Sequence, residues 1–334
     1  MRHLIPFRRP VLFALLGVVW LASGQSGQAA VIDIERISLT VADLDRTEAF
    51  YRDGLGFRSV GRGIVGDRAA EELLGLPVPA ETLTMELGGD RVEFVRFRDP
   101  GRGFPADSAS NDLWFQHFAI VAADMDAAYA RLRMTHFLPI STNGPQTLPE
   151  EDGRVRAFKF RDPDGHPLEL IYFPPGQGRP VWSRGAGSGP TLGIDHTAIS
   201  VSGTKASEAF YAGLLGMKVA YEVVNRGPGQ ENLDGTFAAM VRITGLRPVS
   251  ADGPGIELLD YRAPSTGRPP PPDARANDLW RTRVVLRVES LDTMVPALDQ
   301  AGVRFVSPGI VQLPGDIRAV QVLDPDGHAV MLEQ

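Results

Sequence analysis

Between Ile34 and Val41 apolar and polar side chains alternate in the string IERISLTV, the period of a strand with one buried face. The alternation returns at Ile194–Val201. After the first strand the spacing changes to that of a helix, with apolar positions at Leu44, Phe50 and Tyr51, expected to stop at Gly54. Thr82–Leu87 and Arg91–Phe97 read as further strands. The same order recurs downstream: strand Phe115–Val121, helix Met125–Met134, then strands around Arg154–Phe160 and Pro167–Phe173. In RDPDGHPLEL, Pro163 and Gly165 suit a type I turn that opens the last strand. Gly61–Ala80 and Glu222–Thr236 read as irregular stretches.

The pattern is repeated at a longer period. DLDRTEAFYRDGLGFRSV (Asp43–Val60) is echoed by GTKASEAFYAGLLGMKVAYEV (Gly203–Val223), and DPDGH occurs at Asp162–His166 and Asp324–His328. NDLW also occurs twice, followed by His117 in one copy and Arg283 in the other. The chain is therefore a duplicated unit, each half being two modules of strand, helix and strands. The expected organisation is 33–173 (modules 33–99 and 112–173), a Gly- and Pro-rich linker at 174–190, and 191–334 (modules 191–262 and 279–334). The connectors RDPGRGFPADSAS and RAPSTGRPPPPDARA separate the modules within each half.

Residues 1–30 break this pattern. Arg2, Arg8 and Arg9 precede an apolar run, Val11–Ala22, and then SGQSGQAA, the build of a secretory signal cleaved after Gly24 or Ala30. The run is too short to span a bilayer comfortably. Its removal takes away three arginines and no carboxylate, so the formal net charge moves from −7 to −10. An acidic, exported chain is expected in the periplasm or outside the cell, with no nucleic acid and no membrane as partner. There is no cysteine, which excludes disulfides and thiolate chemistry.

VADLDRTEAFYRDGLGF and FRDPDGHPLELIYF, within four modules of the order βαβββ, resemble the vicinal oxygen chelate superfamily of glyoxalase I, extradiol dioxygenases and bleomycin-resistance proteins. The resemblance covers about residues 33–334. It implies an α+β fold in which modules pair and each pair curls its mixed sheet into a cleft. In metal-binding members, it further implies ligands from the first and last strands of both modules.

Counting nine residues back from Asp45, Asp126, Lys205 and Asp292 gives Arg36, His117, His196 and Arg283 on the four first strands. Seven residues after each DPDG aspartate stand Glu169 and Met331; in the other two modules Glu93 and Glu257 follow a glycine by four. Only the middle modules hold a full pair, His117/Glu169 and His196/Glu257. If modules pair in sequence order, as the resemblance implies for extradiol dioxygenases, both clefts are spoiled. If they nest, second with third and first with fourth, as it implies for monomeric four-module glyoxalases, one cleft receives two His and two Glu. The other then receives Arg36, Glu93, Arg283 and Met331. The substitutions favour nesting, because guanidinium has no lone pair for a metal.

Two imidazoles and two carboxylates suit one divalent ion of Zn, Ni, Co, Mn or Fe. With a vicinal-oxygen substrate, the family resemblance then implies a lyase, isomerase or epimerase of glyoxalase type, Glu169 or Glu257 moving the proton. Export argues against glutathione adducts as its substrates. A ring-cleaving Fe(II) dioxygenase is the second reading, and a non-catalytic small-molecule binder the third. The chain is expected to act as a monomer or homodimer. In the degenerate site, Glu93 is expected to pair with Arg36 or Arg283, and an arginine-lined cleft also suits an anion. His166 and His328 lie in turns, His136 follows a helix, and His3 leaves with the signal.

Overall fold

The computed structural model describes residues 29–77, 79–105, 107–149, 154–183, 189–250 and 252–334. The signal segment lies outside them except for Ala29 and Ala30. Ala29 is buried among residues of the second half, and the Ala30 amide donates to Glu289 at 3.0 Å.

The first module comprises β1 (Val31–Thr40), α1 (Leu44–Leu55), β2 (Arg58–Val65), α2 (Arg68–Leu74), β3 (Ala80–Leu87) and β4 (Asp90–Phe97). The second has β5 (Gln116–Ala122), α3 (Met125–Leu132), the short β6 (Leu138–Pro139) and β7 (Gln146–Thr147), then β8 (Arg156–Arg161) and β9 (Pro167–Tyr172). In the third are β10 (Thr191–Ser200), α4 (Thr204–Glu208, continued by a wider turn through Leu214), β11 (Lys218–Arg226), α5 (Pro228–Asp234), β12 (Met240–Arg247) and β13 (Gly255–Ala263). The fourth holds β14 (Thr282–Val288), α6 (Leu291–Gln300), β15 (Arg304–Phe305), β16 (Val311–Gln312), β17 (Arg318–Leu323) and β18 (Ala329–Glu333).

Local chemistry sets these boundaries. The Asp43 carboxylate caps α1 by accepting from the Asp45 and Arg46 amides, Asp124 caps α3 in the same way, and Ser290 caps α6. α1 runs past Gly54 to Leu55 and ends on Gly56 in the left-handed region. Both stretches expected to be irregular contain regular structure: β2 and α2 in one, β11 and α5 in the other. Asp67 caps α2, Pro228 opens α5, and Gly75 and Gly235 end them.

Among the described residues the strands form two mixed nine-stranded sheets, and each sheet draws on both halves of the chain. One runs β15-β17-β18-β14-β1-β4-β3-β2, with β16 on β17; the other runs β11-β12-β13-β10-β5-β9-β8-β6, with β7 on β8. β1 thus meets β14, and β10 meets β5, both antiparallel, so the modules nest. The hydrophobic cores follow the other partition. Tyr51, Phe94, Phe118 and Phe158 join the first and second modules in one core. Tyr211, Leu258, Leu286 and Val320 join the third and fourth in another. One sheet face therefore packs on helices within a half, and the opposite face builds a cleft between halves.

The repeated motifs are the joints. Asp162 accepts from its own turn's amides and from Tyr51 Oη at 3.2 Å; Asp324 does the same with Tyr211 Oη at 3.2 Å. Asp112 of one NDLW takes the Arg268 guanidinium at 2.7 Å, and Asp278 of the other takes Arg102 at 2.9 Å. Gly267 and Gly101 lie against the backbones of Asn111 and Asn277 so closely that a Cβ would sit 2.6 Å from each carbonyl oxygen. These reciprocal clamps tie each half's connector to the opposite half.

The linker is also held. Arg179 is buried, with Nε donating to Asp195 at 3.0 Å and Nη1 to the carbonyls of Asp252 and Gly253. Trp182 Nε1 donates to the same Asp195 oxygen at 2.8 Å.

Candidate metal centre

Four structurally equivalent positions follow from the register. His117 lies opposite Ala198 and His196 opposite Ala119 across β5 and β10. On the parallel neighbours, Glu257 aligns with Ala198 and Glu169 with Ala119. Each cross-strand row therefore reads Glu–Ala–His, and the small alanine leaves room between the two longer groups. In the other sheet the same rows read Glu93–Ser38–Arg283 and Met331–Val285–Arg36.

The geometry brings His117, Glu169 and His196 together. Their donor atoms lie within 4.8 Å of one another, and all three side chains are buried. His117 Nε2 is 3.0 Å from Glu169 Oε2, and His196 Nε2 is 3.7 Å from that oxygen. Two ligands about 2.1 Å from one ion stand roughly 3.0–3.4 Å apart, so the His117–Glu169 separation is of the required size and the His196–Glu169 one is slightly wider. Glu257 joins at the edge: its Oε2 is 3.3 Å from His196 Nε2, while its Oε1 accepts from Tyr221 Oη.

His196 Nε2 faces the carboxylates of Glu257 and Glu169. It is buried and has no hydrogen bond among the described residues. Its other nitrogen, Nδ1, is 3.1 Å from Asp195 Oδ2. This is the arrangement by which a carboxylate orients a ligand imidazole. His117 Nδ1 has no hydrogen-bond partner among the described residues either.

The electrostatics are those of a crowded anionic site. Burial opposes a charge on His196, but the Glu257 carboxylate and the hydrogen bond with Asp195 push its pKa up to about 10. Burial lowers His117. For Glu169, burial acts to raise the pKa, yet hydrogen bonding from His117 and the charge of Lys159 hold it well below the usual carboxylate range. Metal binding here would displace a proton from His196.

A cavity of about 250 Å³ opens over the cluster, with apolar walls that include Leu148, Ile171, Val241 and Leu259. Several of its polar groups were not apparent from sequence. Lys159 is buried and paired with Asp234 at 2.7 Å. Asn225 Oδ1 and Gln230 Oε1 are buried acceptors with no partner among the described residues. A lysine in the middle of the apolar run Ala157–Phe160 was the available signal for the first.

The other predicted residues form a second cleft. Arg36 makes a two-pronged bond to Glu333, at 2.8 and 2.7 Å, and lies 3.7 Å from Glu93. The expected Arg36–Glu93 pair is present, but Glu333 is the closer partner. Arg283 lies on the floor of this cleft beside Met331. His166 bonds to Asp162 and the Thr40 carbonyl, His328 bonds to Asp324, and His136 is exposed.

Among the described residues no helix is long and apolar enough to cross a membrane. Comparison with curated proteins finds no match. Among solved structures, glyoxalase I from Zea mays is similar at 18% identity, covering 92% of this chain and 93% of that one, with a TM-score of 0.58. A single-residue variant of the same enzyme gives 19% identity, the same coverage and a TM-score of 0.59. A candidate dioxygenase from Bacillus subtilis is 13% identical, covering 91% of this chain and 85% of its own, with a TM-score of 0.57. At such identities the likeness is one of fold. The sequence model of the Glyoxalase/Bleomycin resistance protein/Dioxygenase superfamily matches residues 33–170 and again 193–332, so the chain belongs to that superfamily.

Proposed function

We propose that the protein is an exported, divalent-metal-dependent enzyme of glyoxalase type, moving a proton on a small substrate with two neighbouring oxygens. The observation that carries this reading is the buried His117–Glu169–His196 cluster, in which one oxygen of Glu169 faces Nε2 of both histidines. These three residues would hold the ion, with Glu257 beside them. A bound divalent ion would supply a fixed positive charge for negative charge developing on the substrate oxygens.

The chain's own residues divide the remaining work. Glu169 lies between both imidazoles and would serve as ligand. Glu257 is held on one oxygen by Tyr221, leaves the other beside His196, and is the better placed to take and return the proton. The apolar walls exclude water, and the unpartnered oxygens of Asn225 and Gln230 would accept hydrogen bonds from substrate hydroxyl groups. Elemental analysis of purified protein tests the metal requirement. Proton exchange with solvent at the substrate carbon between or beside those oxygens tests the reaction class, and Glu257→Gln should abolish that exchange.

One observation favours a ring-cleaving Fe(II) dioxygenase as the second reading: the tight cluster is two histidines and one carboxylate, with Glu257 drawn toward Tyr221. Oxygen uptake with a panel of catechols separates the two, because the proton-transfer enzyme consumes none. Export is part of the proposal. Ala29 and Ala30 are packed into the fold, so cleavage after Gly24 retains those contacts and cleavage after Ala30 removes them. N-terminal sequencing of the secreted protein should therefore start upstream of Ala29.

A further inference from the structure

We infer that the second cleft, formed by the first and fourth modules, is a binding site for a small monocarboxylate with an apolar body, taken up by Arg283. The argument begins with charge. Arg283 is the largest fully buried side chain described and occupies the position equivalent to His117. Its Nη2 donates to the Ala276 carbonyl at 2.7 Å, and its Nε has no partner among the described residues. No carboxylate of the described residues lies within ion-pair distance of it. Of the nearby acids, Glu333 and Glu93 flank Arg36 and Asp67 caps α2, and the Glu93 charge only partly offsets the effect of burial on Arg283.

A buried, unpaired guanidinium is unfavourable in the free protein and becomes favourable when an anion arrives. Burial, with Arg281 adding to it, pushes Arg283 down to about 10, which still leaves it charged at neutral pH. Above it lies a cavity of about 240 Å³ walled by Leu73, Leu74, Val95, Leu313 and Met331. Apolar contact comes from this side of the cavity, whose lining also includes Ser38, Thr82, Asp67 and the Arg36–Glu333–Glu93 group. Arg36 is already balanced by Glu333 and Glu93, so inorganic phosphate or a dicarboxylate would bring more negative charge than Arg283 offsets, whereas a short acyl chain or an aromatic ring bearing one carboxylate matches Arg283 and the apolar side. The site is separate from the metal cluster, which lies on the other sheet, and the inference does not rest on the proposed reaction.

The experiment titrates the full mature chain, with and without chelator treatment, with benzoate and hexanoate and with their uncharged amides. Binding is read by calorimetry and by thermal shift. The carboxylates should bind and raise Tm, the amides should bind at least about tenfold more weakly, and chelator treatment should change neither result. Arg283→Met should abolish the carboxylate preference. Leu73→Trp, which keeps the cation and fills the cavity, should abolish binding of both ligand types. Equal response to carboxylate and amide, no response to either, binding lost on chelation, or a preference retained by Arg283→Met would each overturn the inference.

Discussion

His117 and His196 come from opposite halves of the chain, yet their rings stand 5.9 Å apart, face to edge, across the two central strands of one sheet. That relationship requires the second and third modules to pair. It puts Glu169 within reach of both imidazoles.

Asp195 should control how well His196 binds an ion. Its Oδ2 faces His196 Nδ1, while Oδ1 is held by Arg179 and Trp182 from the linker. Asp195→Asn is expected to weaken metal affinity by about 10–100-fold, the usual scale for a carboxylate behind a ligand imidazole. Trp182→Phe, which removes one donor and no charge, should weaken it less. Competition with a fluorescent chelator measures both, and circular dichroism confirms that the variants are folded.

The two NDLW clamps should contribute to stability independently of the metal site. Asp112 accepts from the Arg268 guanidinium and backbone amide, and its own carboxyl is held low by these contacts against the effect of burial. Asp112→Ala leaves those donors without their acceptor and should cost about 2 kcal/mol. Chemical denaturation of the metal-free protein should show a lower midpoint.

Asp90 predicts a pH dependence. Burial pushes its carboxyl up to about 7, with Asp33 and Asp195 adding to the effect and the Ile194 amide and Arg179 opposing it. The unfolded group titrates near 3.8. As pH rises from about 3.8 to about 7 the unfolded chain loses this proton before the folded one does, so stability from this group falls across that window. Asp90→Asn keeps an acceptor for the Ile194 amide, now 2.7 Å from Asp90 Oδ2, and removes the titration. It should raise Tm more near pH 8 than near pH 5, measured by differential scanning calorimetry.

Much of this was legible in the sequence, for physical reasons. Helix caps mark a fixed register, so counting back from Asp43, Asp124, Gly203 and Ser290 lands on the same strand position each time: Arg36, His117, His196 and Arg283. The exchange of His for Arg in two modules then pointed to nesting. Glu333 is not at a position equivalent to the ligands, and its signal in the sequence is an acid two residues beyond Met331 on the same face of an apolar strand. α2 and α5 carry ordinary capping signals in Asp67, Gly75, Pro228 and Gly235 that the mixed hydrophobic spacing obscured. The connectors could not have been read, because the carboxylates that hold Arg102 and Arg268 among the described residues lie in the opposite half.

The shared centre is tested most directly by the metal content of purified wild-type protein beside His117→Ala and His196→Ala. One ion held across two modules predicts a stoichiometric ion in the wild type and its loss from both variants, with the fold retained. An ion that stayed at full occupancy in His196→Ala while disappearing from His117→Ala would contradict a site shared between the halves.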